Sequence, residues 1–332
     1  MSHRSRIVGT GRGIPEKVLT NHEIEKLVDT SDAWIVERTG IRERRILDKS
    51  LATSDLAAEA GRKACEKAGI DPATLDCIIV GTVTPDVPFP ATAVYVQRKL
   101  GARPGGAAFD LSAACAGFLY AMSVADGFIA RGTFKRILII GVEVLSRIID
   151  WSDRNTCVLF GDGAGAAVLV ADPEGDKRGR GILSTHIFAD GSYADILNIP
   201  AGGSRLPLSP DLIAEKKHLV KMNGREVYKH AVKNMSAASA TALEANGLSP
   251  ADVNWVFAHQ ANIRIIEGVS QRVGIPMDRF FLNIARYGNT SSASLPIALD
   301  EALEQGKIKD GDLLVLAALG GGLAWGSAAL RW

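Results

Sequence analysis

Three runs of consecutive apolar residues, CIIVGT at 77–82, ILIIGV at 137–142 and AAVLVA at 166–171, lack the alternation of a strand with one wet face. Unbroken runs of this length suit strands covered on both sides. Between them lie stretches with helical spacing, such as TSDLAAEAGRKACEKAG at 53–69. The alternation predicts an α/β protein with well-buried sheets. Near the end, LLVLAALGGGLAWGSAAL at 313–330 runs 18 residues without a charge, long enough to be weighed as a membrane span. A glycine triplet in its middle would break a helix, so the pattern predicts two core strands joined by a tight turn.

The pattern also repeats. LDCIIVGT at 75–82 resembles VNWVFAHQ at 253–260, and VQRKLG at 96–101 resembles VSQRVG at 269–274. The segment from Cys115 through ARG (130–132) to ILII (137–140) matches that from Asn289 through EQG (304–306) to LLVL (313–316). FGDGAGAAVLV at 160–170 has its counterpart in GGGLAWGSAAL at 320–330. Two halves, 1–175 and 176–332, are expected to pack as a pseudo-dimer, with the polar stretch ADPEGDKRGRG (171–181) as the seam. This alignment sets Cys115 opposite Asn289 and His259 opposite Gly81. All three polar candidates fall at junctions between strand-like and helix-like segments, where open α/β sheets hold their sites, and they are expected to converge on one cleft.

Composition narrows the function classes. With 332 residues, 47% hydrophobic, and a net charge of +1, the chain can bury a large core and offers no global case for nucleic-acid binding. Its four cysteines form no CxxC pair and follow no secretory leader, so no zinc site or disulfide framework is expected, and a reducing cytoplasm fits. The glycine motifs GTGRG (9–13) and FGDGAG (160–165) do not complete GxGxxG between a strand and a helix, which disfavours a dinucleotide site.

Cys115 lies in DLSAACAGFLYAM at the start of a helical stretch. There the helix dipole and free N–H groups favour thiolate, which suits a nucleophile, while a cysteine among alanines, taken on this stretch alone, more readily suits a small buried core residue. His259, after an apolar strand, can donate Nε2–H to a thioester oxygen, and Asn289 can donate its amide N–H to the same atom; together they would stabilise an enolate. A core histidine and a helix-capping asparagine are the alternatives. The glycines at 320–322 allow close backbone approach to a ligand, as an oxyanion hole requires. Between Glu215 and Lys233 there are six lysines or arginines against two glutamates, and Arg225, Lys229 and Lys233 recur every four residues along one helical face. That stripe reads either as a solvated face or as a docking surface for an acidic partner.

Six motifs together resemble the β-ketoacyl-acyl carrier protein synthase III family: TSDAWIVERTGIRER (30–44), FDLSAACAGF (109–118), FGDGAGAAVL (160–169), HQANIRII (259–266), GNTSSAS (288–294) and GGGLAWGSA (320–328). A Cys/His/Asn set also occurs in plant-type polyketide synthases, but the first and fourth motifs point to the synthase III branch. The resemblance implies a thiolase fold of two pseudo-symmetric βαβαβαββ halves in layered sheets and helices, and a homodimer. It implies a condensing enzyme that starts fatty acid synthesis with no cofactor and no metal, acyl-CoA being a substrate and malonyl-acyl carrier protein the second. Neither nucleic acid nor membrane is an expected partner. Cys115 would be the nucleophile, His259 and Asn289 would support decarboxylation, and the N–H groups of Cys115 and Gly321 would form the oxyanion hole. Trp34 and Arg154 would sandwich adenine, with Thr30, Arg38 and Asn262 contacting the rest of coenzyme A. Phe89 would reach across the dimer to the partner's acyl pocket, and Arg264 would join the carrier-protein docking face. Where the family often has Phe then Thr after the glycine triplet, this chain has Leu323 and Ala324, which bears on pocket size and primer. Acetyl is the default primer, and a starter-acyl transferase or condensing enzyme of a polyketide or quinolone pathway is the alternative.

Overall fold

A computed structural model describes residues 4–172 and 179–332. The first half begins with β1 (Arg4–Gly13) and a hairpin of β2 (Lys17–Thr20) and β3 (Glu43–Ile46), which brackets α1 (Asp32–Thr39). It continues through α2 (Thr53–Ala68), β4 (Cys77–Gly81), α3 (Thr92–Leu100), β5 (Ala107–Leu111), α4 (Gly117–Ala130), β6 (Arg136–Glu143) and β7 (Gly163–Asp172). The strands form one sheet in the order β1-β7-β6-β4-β5, with β4 parallel to β5 and β6, and β7 antiparallel to its neighbours.

The second half has β8 (Gly181–Ala189), a two-stranded ribbon of β9 (Leu197–Asn198) and β10 (Lys221–Met222), then α5 (Gly224–Glu244), β11 (Trp255–Ala258), α6 (Ile263–Val273), α7 (Ser294–Glu304), β12 (Leu313–Gly320) and β13 (Ala324–Arg331). Its sheet runs β11-β12-β13-β8, and a single parallel bridge from Val256 to Phe280 stands where β5 lies in the first half. The two halves thus share one topology, and the charge-free stretch 313–330 is an antiparallel strand pair. Among the described residues no helix is long and apolar enough to cross a membrane. The 175/176 boundary, and the part of the seam at 173–178, lie outside the described residues.

α4 and α7 lie between the two sheets. Phe118, Leu119, Met122 and Ile129 of α4 and Leu295, Ala298 and Leu299 of α7 pack against Ile79, Ile139 and Leu169 of one sheet and Leu314, Leu316 and Leu330 of the other. The opposite faces are covered by α2 and α3 on the first sheet and by α5 and α6 on the second. Five layers result. β4 shows why its sequence does not alternate, because Ile79 faces the central helices while Ile78 and Val80 face the outer ones.

GTGRG belongs to β1, not to a nucleotide loop. A Cβ on Gly9 would meet the Ala64 carbonyl oxygen at 2.3 Å, and one on Gly11 the Ala60 carbonyl oxygen at 2.4 Å, so these glycines let α2 lie directly on the strand. The dinucleotide reading loses its motif. Gly11→Ala should force backbone apart and destabilise the chain by about 1–3 kcal/mol; thermal denaturation checks this, with a melting temperature several degrees below that of the parent expected.

Candidate active site

Cys115 occupies a single turn, Ala114–Ala116, that leads into α4, and Ser291–Ala293 leads in the same way into α7. Both turns open on a non-glycine residue in the left-handed region, Ala114 at φ 45° and Ser291 at φ 50°. Such residues are uncommon and are held by their surroundings. Matched at these turns, Cys115 lies opposite Ser292 rather than Asn289. The sequence alignment was anchored on the glycines after the helices, Gly132 and Gly306, and α7 has 11 residues where α4 has 14. The three-residue difference moves the partner.

Cys115, His259 and Asn289 nevertheless line one cleft of about 1100 Å³. His259 follows β11, and its N–H bonds the Ala317 carbonyl at 2.8 Å. Asn289 is fixed at three points. Its N–H donates to the Leu159 carbonyl at 2.8 Å, its carbonyl accepts from Gly161 N–H at 3.0 Å, and its Oδ1 accepts from Ser291 N–H at 2.8 Å. With Oδ1 so engaged, the amide Nδ2 remains to donate to a ligand.

The histidine's tautomer follows from a residue the sequence reading did not single out. Ser294 Oγ lies 2.7 Å from His259 Nδ1 and accepts the Gln260 N–H at 3.4 Å. Its own proton is available to Nδ1, and with that bond made the ring proton sits on Nε2. Arg44 was also missed. Fully buried, it donates to the Leu19 and Val158 carbonyls at 3.2 and 2.8 Å and to Asn21 Oδ1 at 2.8 Å. It thereby braces the segment whose next carbonyl, Leu159, holds Asn289. Burial lowers its pKa to about 10.

Electrostatics depart from the expectation of a thiolate. Burial pushes the Cys115 thiol up to about 12, and the charge of Glu143 raises it further. Burial also drives His259 down to about 3. Desolvation outweighs the dipole of α4 here, so the resting cleft holds a neutral thiol and a neutral imidazole.

Cys115 borders a second cavity as well, about 490 Å³ and lined by Val83, Leu145, Ile148, Val220, Gly321 and Leu323 among others. Gly320 closes the joint between the two backbones, since a Cβ there would lie 2.4 Å from Cys115 N. At the mouth of the larger cleft stand Trp34, Arg38, Arg154, Asn262, Arg225 and Arg264. The Arg154 and Arg38 guanidinium carbons lie 4.9 and 5.1 Å from the Trp34 ring centroid. Asn262 caps α6 through Arg264 N–H, and Arg264 bonds the Glu37 carbonyl at 3.3 Å. Thr30 does not border the cleft; its hydroxyl is buried without a partner, and the cap of α1 is Ser31. Lys229 and Lys233 are exposed on α5 beyond the cleft's lining. Phe89 borders neither cavity and is 88% exposed.

His259 supplies a pH signature. It binds its proton near 6.5 when unfolded but near 3 in the folded chain, so below pH 6.5 the unfolded state holds more protons and stability falls as pH falls. Against a His259→Gln variant, the parent should lose up to about 1.4 kcal/mol per pH unit across that window. Denaturant titrations of both chains between pH 4 and 7 measure the difference, and parallel curves would contradict it.

Residues 109–191 match the family profile of 3-oxoacyl-[acyl-carrier-protein] synthase III, and residues 243–332 match that of its C-terminal part. A β-ketoacyl-[acyl-carrier-protein] synthase III of Caldanaerobacter subterraneus subsp. tengcongensis is 52% identical over 98% of this chain and 97% of its own length. The crystal structure of the 3-oxoacyl-[acyl-carrier-protein] synthase III of Aquifex aeolicus superposes with a TM-score of 0.90 at 45% identity, over 99% of this chain and all of that one. The priming β-ketosynthase of the R1128 polyketide pathway superposes equally well, TM-score 0.90, at 33% identity over 99% of this chain and 96% of its own. Near-complete coverage at half identity leaves one conclusion: the chain belongs to the β-ketoacyl-acyl carrier protein synthase III family of thiolase-fold condensing enzymes.

Proposed function

We propose that this chain condenses an acyl-CoA primer with malonyl-acyl carrier protein through an acyl-Cys115 intermediate, in the decarboxylating Claisen reaction of its family. The observation that carries the assignment of roles is the shared cleft of Cys115, His259 and Asn289, with an apolar cavity opening at the cysteine. In the first half-reaction the Cys115 sulfur attacks the thioester carbonyl, the bond from that carbon to the coenzyme A sulfur breaks, and the cysteine's proton leaves on coenzyme A as its thiol. The N–H groups of Cys115 and Gly321 are the donors to the transient oxyanion. In the second, the malonyl group loses CO2, the electrons of the broken C–C bond form an enolate, and its oxygen accepts from His259 Nε2–H and Asn289 Nδ2–H. The carbanion then attacks the acyl-cysteine carbonyl and displaces the sulfur. Splitting one condensation into two thioester steps is covalent catalysis.

Trp34, Arg38, Arg154 and Asn262 take coenzyme A in this reading. Thr30 remains in it through a buried hydroxyl that has no internal partner. Arg225 and Arg264 at the mouth, with Lys229 and Lys233 exposed beyond it on α5, suit the acidic carrier protein. A homodimer is supported by β5, the free edge of the first sheet, because an unblocked edge strand invites pairing, and by the exposure of Phe89, which then enters the partner's acyl pocket. Acetyl is the default primer, while the cavity beside Leu323 has room for branched or longer chains. A starter-priming role in polyketide synthesis is the second reading, favoured by the likeness to the R1128 enzyme.

Intact-protein mass spectrometry with a panel of acyl-CoAs tests the first half-reaction. One acyl group per chain is expected, none in Cys115→Ala, and the panel ranks the primers; labelling undiminished by the substitution would overturn the assignment. His259→Ala and Asn289→Ala should still acylate but lose decarboxylation at least about a hundredfold, whereas equal loss of both steps would contradict the division of labour. Reversing charge at Arg264 and Lys229 should raise KM for malonyl-acyl carrier protein roughly tenfold and spare acyl-CoA, with steady-state kinetics on each substrate as the check.

A further inference from the structure

Val158, Leu159 and Phe160 line the cleft together with Asn289, and the segment they open is held at both ends by β3 and the residue after it. At its start, Arg44 Nη2 donates to the Val158 carbonyl at 2.8 Å. At its far end, Asp162 N–H donates to the Arg45 carbonyl at 2.9 Å, and the Asp162 carboxylate accepts from Leu47 N–H at 2.8 Å. Between these anchors the segment grips Asn289, since the Leu159 carbonyl takes its N–H and Gly161 N–H takes its carbonyl. The two backbones meet without space for a side chain. A Cβ on Gly161 would lie 2.5 Å from the Tyr287 carbonyl oxygen and 3.0 Å from Arg44 Cβ, and one on Gly288 would lie 2.8 Å from the Leu159 carbonyl oxygen. A shift of the segment is therefore passed on to Asn289.

An arginine is not the obvious anchor for one carbonyl. Fully buried, its guanidinium has neutral acceptors alone among the described residues, the Leu19 and Val158 carbonyls and Asn21 Oδ1, and its Nε has no partner. A buried cation without a carboxylate costs stability that an apolar side chain of similar volume would not. What it supplies is geometry. The planar fork reaches acceptors on two sides at once, and the side away from Val158 is itself fixed, because Asn21 Nδ2 donates to Asp32 Oδ1 and to the Ile41 carbonyl, both at 2.8 Å. We propose that Arg44 is a positioning residue for Asn289, setting the place of its Nδ2 donor through the 158–161 segment without itself touching substrate.

The nucleophile is held separately. Among the described residues no hydrogen bond joins the Cys115 turn, Ala114–Ala116, to Arg44 or to residues 158–162. His259 is held from Ala317 and Ser294 instead. Loosening Arg44 therefore disturbs the step that uses Asn289 and spares the acylation of Cys115.

The test is Arg44→Lys in the full chain, whose single ammonium cannot span acceptors on both sides. Amide exchange over residues 288–291, read by mass spectrometry, should become roughly tenfold faster. Acylation of Cys115 at saturating acyl-CoA should stay within about twofold of the parent, while decarboxylation of malonyl-acyl carrier protein should fall roughly tenfold. In an Asn289→Ala background the same substitution should cause no further fall in decarboxylation. A role in stability alone would slow both half-reactions or neither, and would add to the effect of Asn289→Ala; each of these results overturns the proposal, as does unchanged exchange. Should Arg44→Lys fail to fold, Asn21→Ala, which removes one of the guanidinium's acceptors, decides by the same readings. The inference rests on Asn289 serving decarboxylation. Failure of that reading would show instead as undiminished decarboxylation in Asn289→Ala alone, and exchange over 288–291 would still decide whether Arg44 holds Asn289 in place.

Discussion

The site depends on two helices packed between the sheets. α4 and α7 are sealed between sheets, so neither can slide or turn without exposing apolar surface to the edge of a layer or driving side chains into backbone. Their acidic groups have partners: Asp126 accepts from Ser5 at 2.5 Å, and Asp300 is held by Thr10, Arg12 and Lys67. Fixing the helices fixes their starts. The left-handed residues Ala114 and Ser291 are the cost of bringing two such starts to one place, and they persist because the layers on both sides leave no alternative. Cys115 and the N–H that holds Asn289 are carried on these two turns, one from each half.

The same burial governs the chemistry. A thiol at a helix start on an exposed surface would be expected to ionise readily, yet here desolvation prevails and the cysteine and histidine rest uncharged. In the proposed reaction a neutral imidazole with its proton on Nε2 would be the form to donate to a developing enolate oxygen, whereas an imidazolium would pair with the malonyl carboxylate that must leave as CO2. Ser294 offers Nδ1 a donor, which suits a proton on Nε2, and burial keeps the ring neutral. Two independent devices act on one side chain. Asn289 follows the same logic, with every backbone group and the side-chain oxygen engaged so that only the Nδ2 donor is left for a ligand.

Much of the fold was legible because double-sided burial writes itself into the chain as unbroken apolar runs, and the repeat of β4 in β11 and of β6–β7 in β12–β13 survived in the residues. The pairing of Cys115 with Asn289 did not survive, since a helix shortened by one turn shifts any alignment anchored at its far end. His259 and Cys115 announced themselves by residue type at a strand end and a helix start. Ser294 and Arg44 did not, because a serine among serines and an arginine in an arginine-rich hairpin take their meaning from contacts 35 and 114 residues away. Thr30 shows the converse, a motif position that does not border the cleft.

The cleft's mouth carries its own constraint. Arg154 lies 4.9 Å from the Trp34 ring centroid, while a flat base stacked between them needs about 7 Å, two contact spacings of roughly 3.5 Å. The pair is therefore closed, and a base can enter only if the guanidinium moves outward. What holds it, apart from the ring, is a single bond from Nη1 to the Asp29 carbonyl at 2.9 Å, a neutral acceptor at the protein surface that water replaces at little cost. Trp34, by contrast, is set on α1, whose first turn is capped by Ser31 and whose Ile35 is wholly buried. One jaw is rigid and the other free to swing, so a base stacked there would order an arginine already tethered near its place, through contacts that only the ligand could supply.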